Sequence, residues 1–389
     1  MEVKPGYKQT EVGVIPEEWD VEPCRRVSKF ITVGIVVKPT QYYQKHGVPA
    51  LRSANVRENQ IDKSDLIFIS EKANAQQAKS QVRAGDVVTV RTGYPGTSAV
   101  VPTDMAGSNC IDILITRPTD RLDSTFLSAW INSPRGKDQV LRSQNGLAQQ
   151  HFNVGELREL LVALPPLPEQ RAIAEALSDV DGLLGRLDRL IAKKRYLKQA
   201  AMQQLLTGQT RLPGFDGDWR VKRLDRIAPL QRGFDLPNRE LRSGPFPVVY
   251  SNGILNHHSD WQVEGPGVVT GRSGTIGNVT FIEGKYWPHN TALWVTSFKG
   301  NDPSFIFYLY TRIDFERFAT GSGVPTLNRN DVHSFEVLIA PTKAEQTAIA
   351  DVLTDMDAEI AALEQRREKT RALKQAMMQE LLTGKTRLI

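Results

Sequence analysis

The stretch EQRAIAEALSDVD at residues 169–181 returns as EQTAIADVLTDMD at residues 345–357, and the match runs without a gap to Leu212 and Leu388. More than half of the aligned positions are identical. A repeat at a fixed offset constrains a fold strongly, because both copies must take the same local structure and bury the same face. Each copy steps by four and three. Ile173, Leu177, Val180, Leu184, Leu187 and Ile191 do so in the first, and Ile349, Leu353, Met356, Ile360 and Leu363 in the second. That is a heptad seam on a helix. Pro168 and Pro341 mark the starts, and Gly208 and Gly384 the ends. The expected length is roughly 38 residues, or about 57 Å.

A helix that long needs a partner, and its charges name one. Glu169, Glu175, Asp179 and Asp181 come early in the first copy, and Lys193, Lys194, Arg195 and Lys198 late. Asp351, Asp355, Asp357 and Glu359 precede Arg366, Arg367, Lys369, Arg371 and Lys374 in the second. Parallel packing would set acid beside acid, whereas antiparallel packing sets acid beside base. The two copies are therefore expected to pair antiparallel.

The segments between the repeats echo each other only at landmarks. Trp19-Asp20-Val21 answers to Trp219-Arg220-Val221, and RTGYPG (91–96) to RSGTIG (272–277). GLAQQHFN, ending at Asn153, answers to GSGVPTLN, ending at Asn328. The frame is duplicated and the contents are not. The layout reads as a first globular domain at 1–165, a helix at 166–211, a second domain at 212–341 and a second helix at 342–389. Because the N-terminal GVIPEEWDV resembles what should follow the C-terminal LLTGKTRL, the chain reads as a ring opened at one of two equivalent joints. The β-branched runs AGDVVTVRTG, IDILITRP and GPGVVTGRSG read as strands, and STFLSAWINSP and PSFIFYLYTRIDFERFA as short helices. The expected class is α+β: two mixed α/β domains separated by two long helices in an antiparallel coiled coil, with pseudo-two-fold symmetry.

Length, composition and cysteine content fit a soluble chain of several domains. The 389 residues are too many for one core, and 40% apolar with 24% charged residues is ordinary. No apolar run reaches membrane-span length, and the N-terminus lacks the core of a signal peptide, so a cytoplasmic protein is expected. Cys24 and Cys110 are too few for a disulfide framework and read as buried apolar residues. The net charge is +5, but residues 1–165 carry 20 basic and 18 acidic groups and residues 212–341 carry 13 of each. Any nucleic-acid surface must come from placement rather than from total charge.

No phosphate-binding G-x-x-x-x-G-K-[S/T] loop, nucleophile elbow or metal set stands out. His257, His258 and His289 have no carboxylate at ligand spacing. Asp179-x-Asp181 and Asp355-x-Asp357 suit a helix dipole or a partner better than magnesium. Acids near Lys72 or Lys285 make no nuclease pattern beyond what any chain of this size offers. The paired R-[S/T]-G-x-x-G turns allow close backbone approach to a phosphate, and they equally fit shared scaffold turns.

Two unlike domains, each followed by a repeated helix ending in LLTGxTRL, resemble the specificity subunit of type I restriction–modification systems. PLPEQRAIAEALSDVD, LKQAAMQQLLTGQTRLPGF, the opening GYKQTEVGVIPEEW and the glycine turns carry the resemblance across essentially the whole chain. It implies a non-catalytic, DNA-binding subunit whose two domains each read half of an interrupted duplex target. The helices would set the gap and dock two modification subunits, with restriction subunits in the full complex. S-adenosylmethionine, Mg2+ and ATP would belong to those partners, with no metal or cofactor on this chain. Candidate DNA contacts are Arg91, Thr92, Gly93, Gln149, Gln150, His151 and Asn153 in the first domain. In the second they are Arg232, Asn252, Arg272, Ser273, Gly274, Asn328 and Arg329. Candidate partner contacts on the helices are Asp179, Asp181, Lys198, Gln199, Asp355, Asp357, Lys374 and Gln375. The rival reading is a non-DNA scaffold carrying two ligand-binding domains on a coiled-coil strut, which near-neutral domains also fit.

Overall fold

The computed structural model describes residues 4–143, 151–321 and 324–388. It divides into two units, Met1–Asp188 with Arg366–Ile389, and Arg189–Gln365. Each unit thus combines a globular part with a stretch of both repeats.

In the first unit, four antiparallel strands stand in the order Ser98–Val100, Val87–Val90, Ile113–Pro118, Ser28–Val33. Side chains alternate across a sheet, so one β-branched run serves two cores. Val87 and Leu114 join the cluster around Phe126, Leu127 and Trp130. Val88, Val90, Ile113 and Ile115 join another around Leu51, Val82 and Cys110. The helix Ser124–Asn132 is buried on nearly every face and starts at Asp123, whose carboxylate accepts from Thr125 N and Phe126 N. A second sheet sets Asn109–Cys110 parallel to Val48–Leu51, followed by Ile67–Ile69 and the edge strand Tyr43–Gln44. Both cysteines are buried, and burial pushes the Cys24 thiol up to about 11.

The second unit repeats the first sheet with corresponding strands in the same order: Val279–Ile282, Gly267–Gly271, Ala292–Val295, Leu230–Arg232. It again has a parallel pair, Trp287–Pro288 beside Phe246–Tyr250. The neighbour on the far side differs, being a hairpin to Gly253–His258. The helix Pro303–Arg312 corresponds to Ser124–Asn132 and starts at Asp302. All three expected strands and both expected short helices form.

The repeats are helices of 39 residues each, Leu167–Leu205 and Lys343–Leu381. Pro168 lies inside the first turn rather than before it, where its missing N–H has no helical partner to lose. Within the first unit Asp181 meets Lys374 at 2.5 Å and Asp188 meets Arg367 at 3.3 Å. Seven residues forward on one helix is seven back on the other. Within the second unit Lys198 meets Asp357 at 2.5 Å and Lys194 meets Glu359 at 2.6 Å. The stretches pair antiparallel in both, acid against base. Among the described residues no helix is long and apolar enough to cross a membrane.

Candidate nucleic-acid and partner interfaces

The strongest geometric feature is a joint built twice. In the first unit the Glu169 carboxylate is fully buried and accepts from Trp19 Nε1 at 3.1 Å and from Arg387 Nε and Nη2 at 2.5 and 2.7 Å. In the second, Glu345 is 1% exposed and accepts from Trp219 Nε1 at 3.2 Å and Arg211 at 2.5 and 2.9 Å. A planar guanidinium matches a carboxylate in two bonds, and the indole takes a further lone pair, so each buried charge is satisfied. The neighbouring glutamines repeat too. Gln170 Oε1 accepts from Asp123 N at 2.8 Å, and Gln346 Oε1 from Asp302 N at 2.9 Å, so each long helix grips the N-cap of its unit's short helix.

At the second joint, Gly208 at φ 69° closes the first repeat, and a Cβ there would lie 3.0 Å from the Trp219 ring. At the first joint, Gly384 at φ 68° packs on Pro16 and Trp19, and its carbonyl accepts from Tyr7 Oη at 2.9 Å. The last residues of the chain therefore dock beside Trp19 as the mid-chain segment docks beside Trp219. Residue typing alone did not single out these tryptophans, glutamates and arginines. The recurring W-x-V, EQ and TRL landmarks were their signal.

The glycine turns are matched as well. Gly93 and Gly96 have φ 91° and 82°, and Gly274 and Gly277 have 86° and 78°, a region only glycine enters freely. Arg91 O accepts from Phe152 N at 3.0 Å, and Arg272 O from Leu327 N at 2.8 Å. The Arg91 guanidinium pairs with Asp112 at 2.6 Å, while Thr92 Oγ1 lies 2.8 Å from His151 Nδ1. Asn153 caps the helix Val154–Glu159 with Glu156 completing a capping box, and Asn328 caps Arg329–His333. Ser273 is bound through its backbone to Thr291 and Thr326. Arg232 pairs with Asp235 at 2.8 Å; Asp235 also accepts from Asn290 Nδ2, and Asn290 O faces Arg272 Nη1 at 3.5 Å. The Asn290 hydrogen bond and Arg232 hold the Asp235 carboxyl below the usual range. Gly93, Gly274, Asn252 and Arg329 are exposed, and Gln149 and Gln150 lie outside the described residues. The structure thus gathers Arg91, Thr92 and His151 at one turn, and Arg232, Arg272 and Ser273 at the other.

Of the helix candidates, Asp181, Lys374, Asp357 and Lys198 face one another in the pairs above, leaving Asp179, Gln199, Asp355 and Gln375 exposed. Asn59 Nδ2 donates to Asp181 at 3.1 Å and Tyr308 Oη to Asp357 at 2.9 Å, so each acid also ties a helix to its own globular part. His258 Nδ1 accepts from Arg242 N at 3.0 Å, and His289 stacks on Tyr250 with centroids 4.4 Å apart.

The model of the type I restriction modification DNA specificity domain matches residues 16–192 and again 216–371. The chain belongs to that family. Each match spans one copy of the sheet together with the tryptophan and the glutamate of its joint. The specificity subunit is 24% identical over 425 residues to the putative type I restriction enzyme MjaX specificity subunit of Methanocaldococcus jannaschii, covering 98% of this chain and 97% of that one. It is 22% identical over 229 residues to the EcoBI specificity subunit of Escherichia coli, spanning 55% of this chain and 46% of that protein. Among solved structures, its fold is similar to the S subunit of a type I system from M. genitalium, with a TM-score of 0.64, 14% identity and 98% of both chains covered.

Proposed function

We propose that each unit of this specificity subunit reads one half of a bipartite, gapped duplex target. The long helices set the gap and dock two modification subunits. The observation that carries this reading is the contrast between a frame built twice with the same bonds and the unlike segments mounted on it. Two identical mounts suit two copies of one partner, and two unlike exposed surfaces suit two different half-sites.

The helix surfaces support the partner reading. Leu197 and Leu373 occupy equivalent repeat positions, are identical and are 41% and 55% exposed. Gln199 and Gln375 are likewise identical and exposed. Nothing in the packing of either unit demands those identities, so a shared partner surface accounts for them. In this reading the chain performs no catalysis. S-adenosylmethionine, Mg2+ and ATP act on the modification and restriction subunits. Arg91, Thr92, Gly93, His151, Arg232, Asn252, Arg272, Gly274 and Arg329 then stand at or near the DNA, and Asn153, Asn328 and Ser273 shape the turns beneath.

The test is to assemble the subunit with its modification partner, supply S-adenosylmethionine and map methylated adenines by sequencing. Exchanging residues 14–165 for the first domain of another family member should change one half-site and leave the other. A change in both half-sites, or methylation by the isolated chain, overturns the proposal.

A further inference from the structure

The two units mount their unlike segments at the same place in the frame. In the first, the chain leaves the sheet at Gly34, where a Cβ would stand 2.4 Å from Cys110 O; in the second it leaves at Gly233, 2.3 Å from His289 O. Ile35 and Phe234 then each make a parallel bridge, and the chain returns in the parallel-paired strands Val48–Leu51 and Phe246–Tyr250. Between these fixed points the first unit carries IVVKPTQYYQKHG and the second FDLPNRELRSGP.

The first of these segments sits within residues 23–57, which contain no Asp or Glu but hold Arg25, Arg26, Lys29, Lys38, Lys45, Arg52 and Arg57. Outside the segment those cations are neutralised: Arg25 by Glu159, Arg26 by Glu22, Lys29 by Asp120, Arg52 by Asp65 and Arg57 by Asp62. Inside it they are not. Lys38, Gln41, Tyr43, Gln44, Lys45 and His46 are all exposed, and among the described residues none of their side chains makes an ion pair or hydrogen bond. The adjacent helix Glu71–Gln76 adds one acid and one lysine, Glu71 and Lys72, and leaves the balance unchanged. Lys38 itself is held at φ 42°, a left-handed backbone that a lysine seldom adopts. Residues 35–47 therefore present two unpaired lysines outward with no acid among them.

We infer that residues 35–47 are a DNA-backbone clamp of the first unit, with Lys38 and Lys45 each neutralising a phosphate of the duplex. The inference rests on the DNA-reading function proposed above. It differs from the glycine-turn contacts, because the Arg91 cation there is already engaged by Asp112. The second unit's counterpart carries Asp235 and Glu240 against Arg239 and Arg242, so the clamp belongs to the first unit.

Counterion release supplies the readout. Each neutralised phosphate adds about 0.9 to the slope of log affinity against log salt. The assembled complex of this subunit with its modification partner is titrated onto a mixed-sequence duplex from about 50 to 200 mM salt. The variants are K38N/K45Q, with Asn chosen because it accepts the left-handed backbone, and K137Q as a control on a lysine already paired with Glu58. The double variant should lower the slope by about 1.8, so that the wild type loses roughly tenfold more affinity across that range. K137Q should match the wild type, and the methylated sequence should stay unchanged in all three, because phosphate contacts position without specifying. A salt-dependent wild type with an unchanged slope in K38N/K45Q overturns the clamp and leaves the DNA-reading function standing. A changed half-site overturns the phosphate assignment in favour of base contact. A wild type without salt-dependent binding overturns both.

Discussion

Replacing Arg387 by Met tests the joint at the end of the chain. Glu169 is fully buried and receives three donor bonds, two of them from Arg387. After the substitution only Trp19 Nε1 remains on a buried carboxylate. Removing one partner of a buried pair costs about 3–5 kcal/mol. The Arg387 side chain is 30% exposed and also pairs with Glu18, so solvent screens part of the loss and the lower end, about 3 kcal/mol, applies. In a unit of this size that lowers its melting transition by roughly 6–12 °C. Calorimetry of the full chain is the assay, since two units need not melt as one. Arg211→Met should lower the second unit's transition similarly by stripping Glu345. Glu169→Gln combined with Arg387→Met should cost less than the two single changes added, by about 1–3 kcal/mol, because the stranded charge is gone. If Arg387→Met leaves the melting profile of the wild type in place, the C-terminal segment is not seated as described and the reasoning fails.

Two further outcomes are expected. Lys374→Glu, which sets two acids together at the largely buried Asp181 contact, should destabilise the first unit by about 2 kcal/mol, and adding Asp181→Lys should recover most of that; no recovery would show that the pair does not fix the antiparallel register. Acid should weaken the second unit: burial lowers the pKa of both His333 and His289, and Leu230 N donates to His333 Nε2 at 2.9 Å, which requires an unprotonated nitrogen. That stability is fully present above the unfolded histidine value near 6.5 and is lost as pH falls through the lowered folded values, so melting of the second unit between pH 7.5 and 5 should drop less steeply in His333→Gln than in the wild type. Equal slopes would refute it.

The fold was legible wherever the physics is local or stated twice. A heptad seam and ordered charges suffice for two long helices and their antiparallel pairing. VVTV, flanked by glycine, and ILIT, closed by Pro118, suffice for two-sided central strands. What escaped depends on contacts far apart in the chain. Nothing local in Val48–Leu51 says that its antiparallel neighbour is Ile67–Ile69, while the corresponding Phe246–Tyr250 pairs with the hairpin strand next to it. The site was legible in outline only. Asn153 stands three residues before Glu156, the spacing of a capping box, and its side-chain oxygen serves that cap. Asp181 and Lys374 are polar residues on helix surfaces, and only the register of the pair shows that they meet.

The position of the tie points explains how one chain can keep a frame and vary the segments mounted on it. Glu169, Gln170, Asp181 and their counterparts Glu345, Gln346 and Asp357 bind, through side chains, the tryptophan at the edge of each globular part, the N-cap of its short helix and one polar group beyond it. None of these bonds uses a side chain from residues 35–47 or from the hairpin strand Gly253–His258. Sequence change in those segments therefore leaves each joint's buried carboxylate paired and each N-cap held. Where it alters the exposed groups of these segments, rather than buried Ile35 or His258, it usually shifts stability by less than about 0.5 kcal/mol. A surface mounted in this way can diverge without unseating the helices that carry it. In the function proposed above, two such mounts would let two half-sites diverge independently.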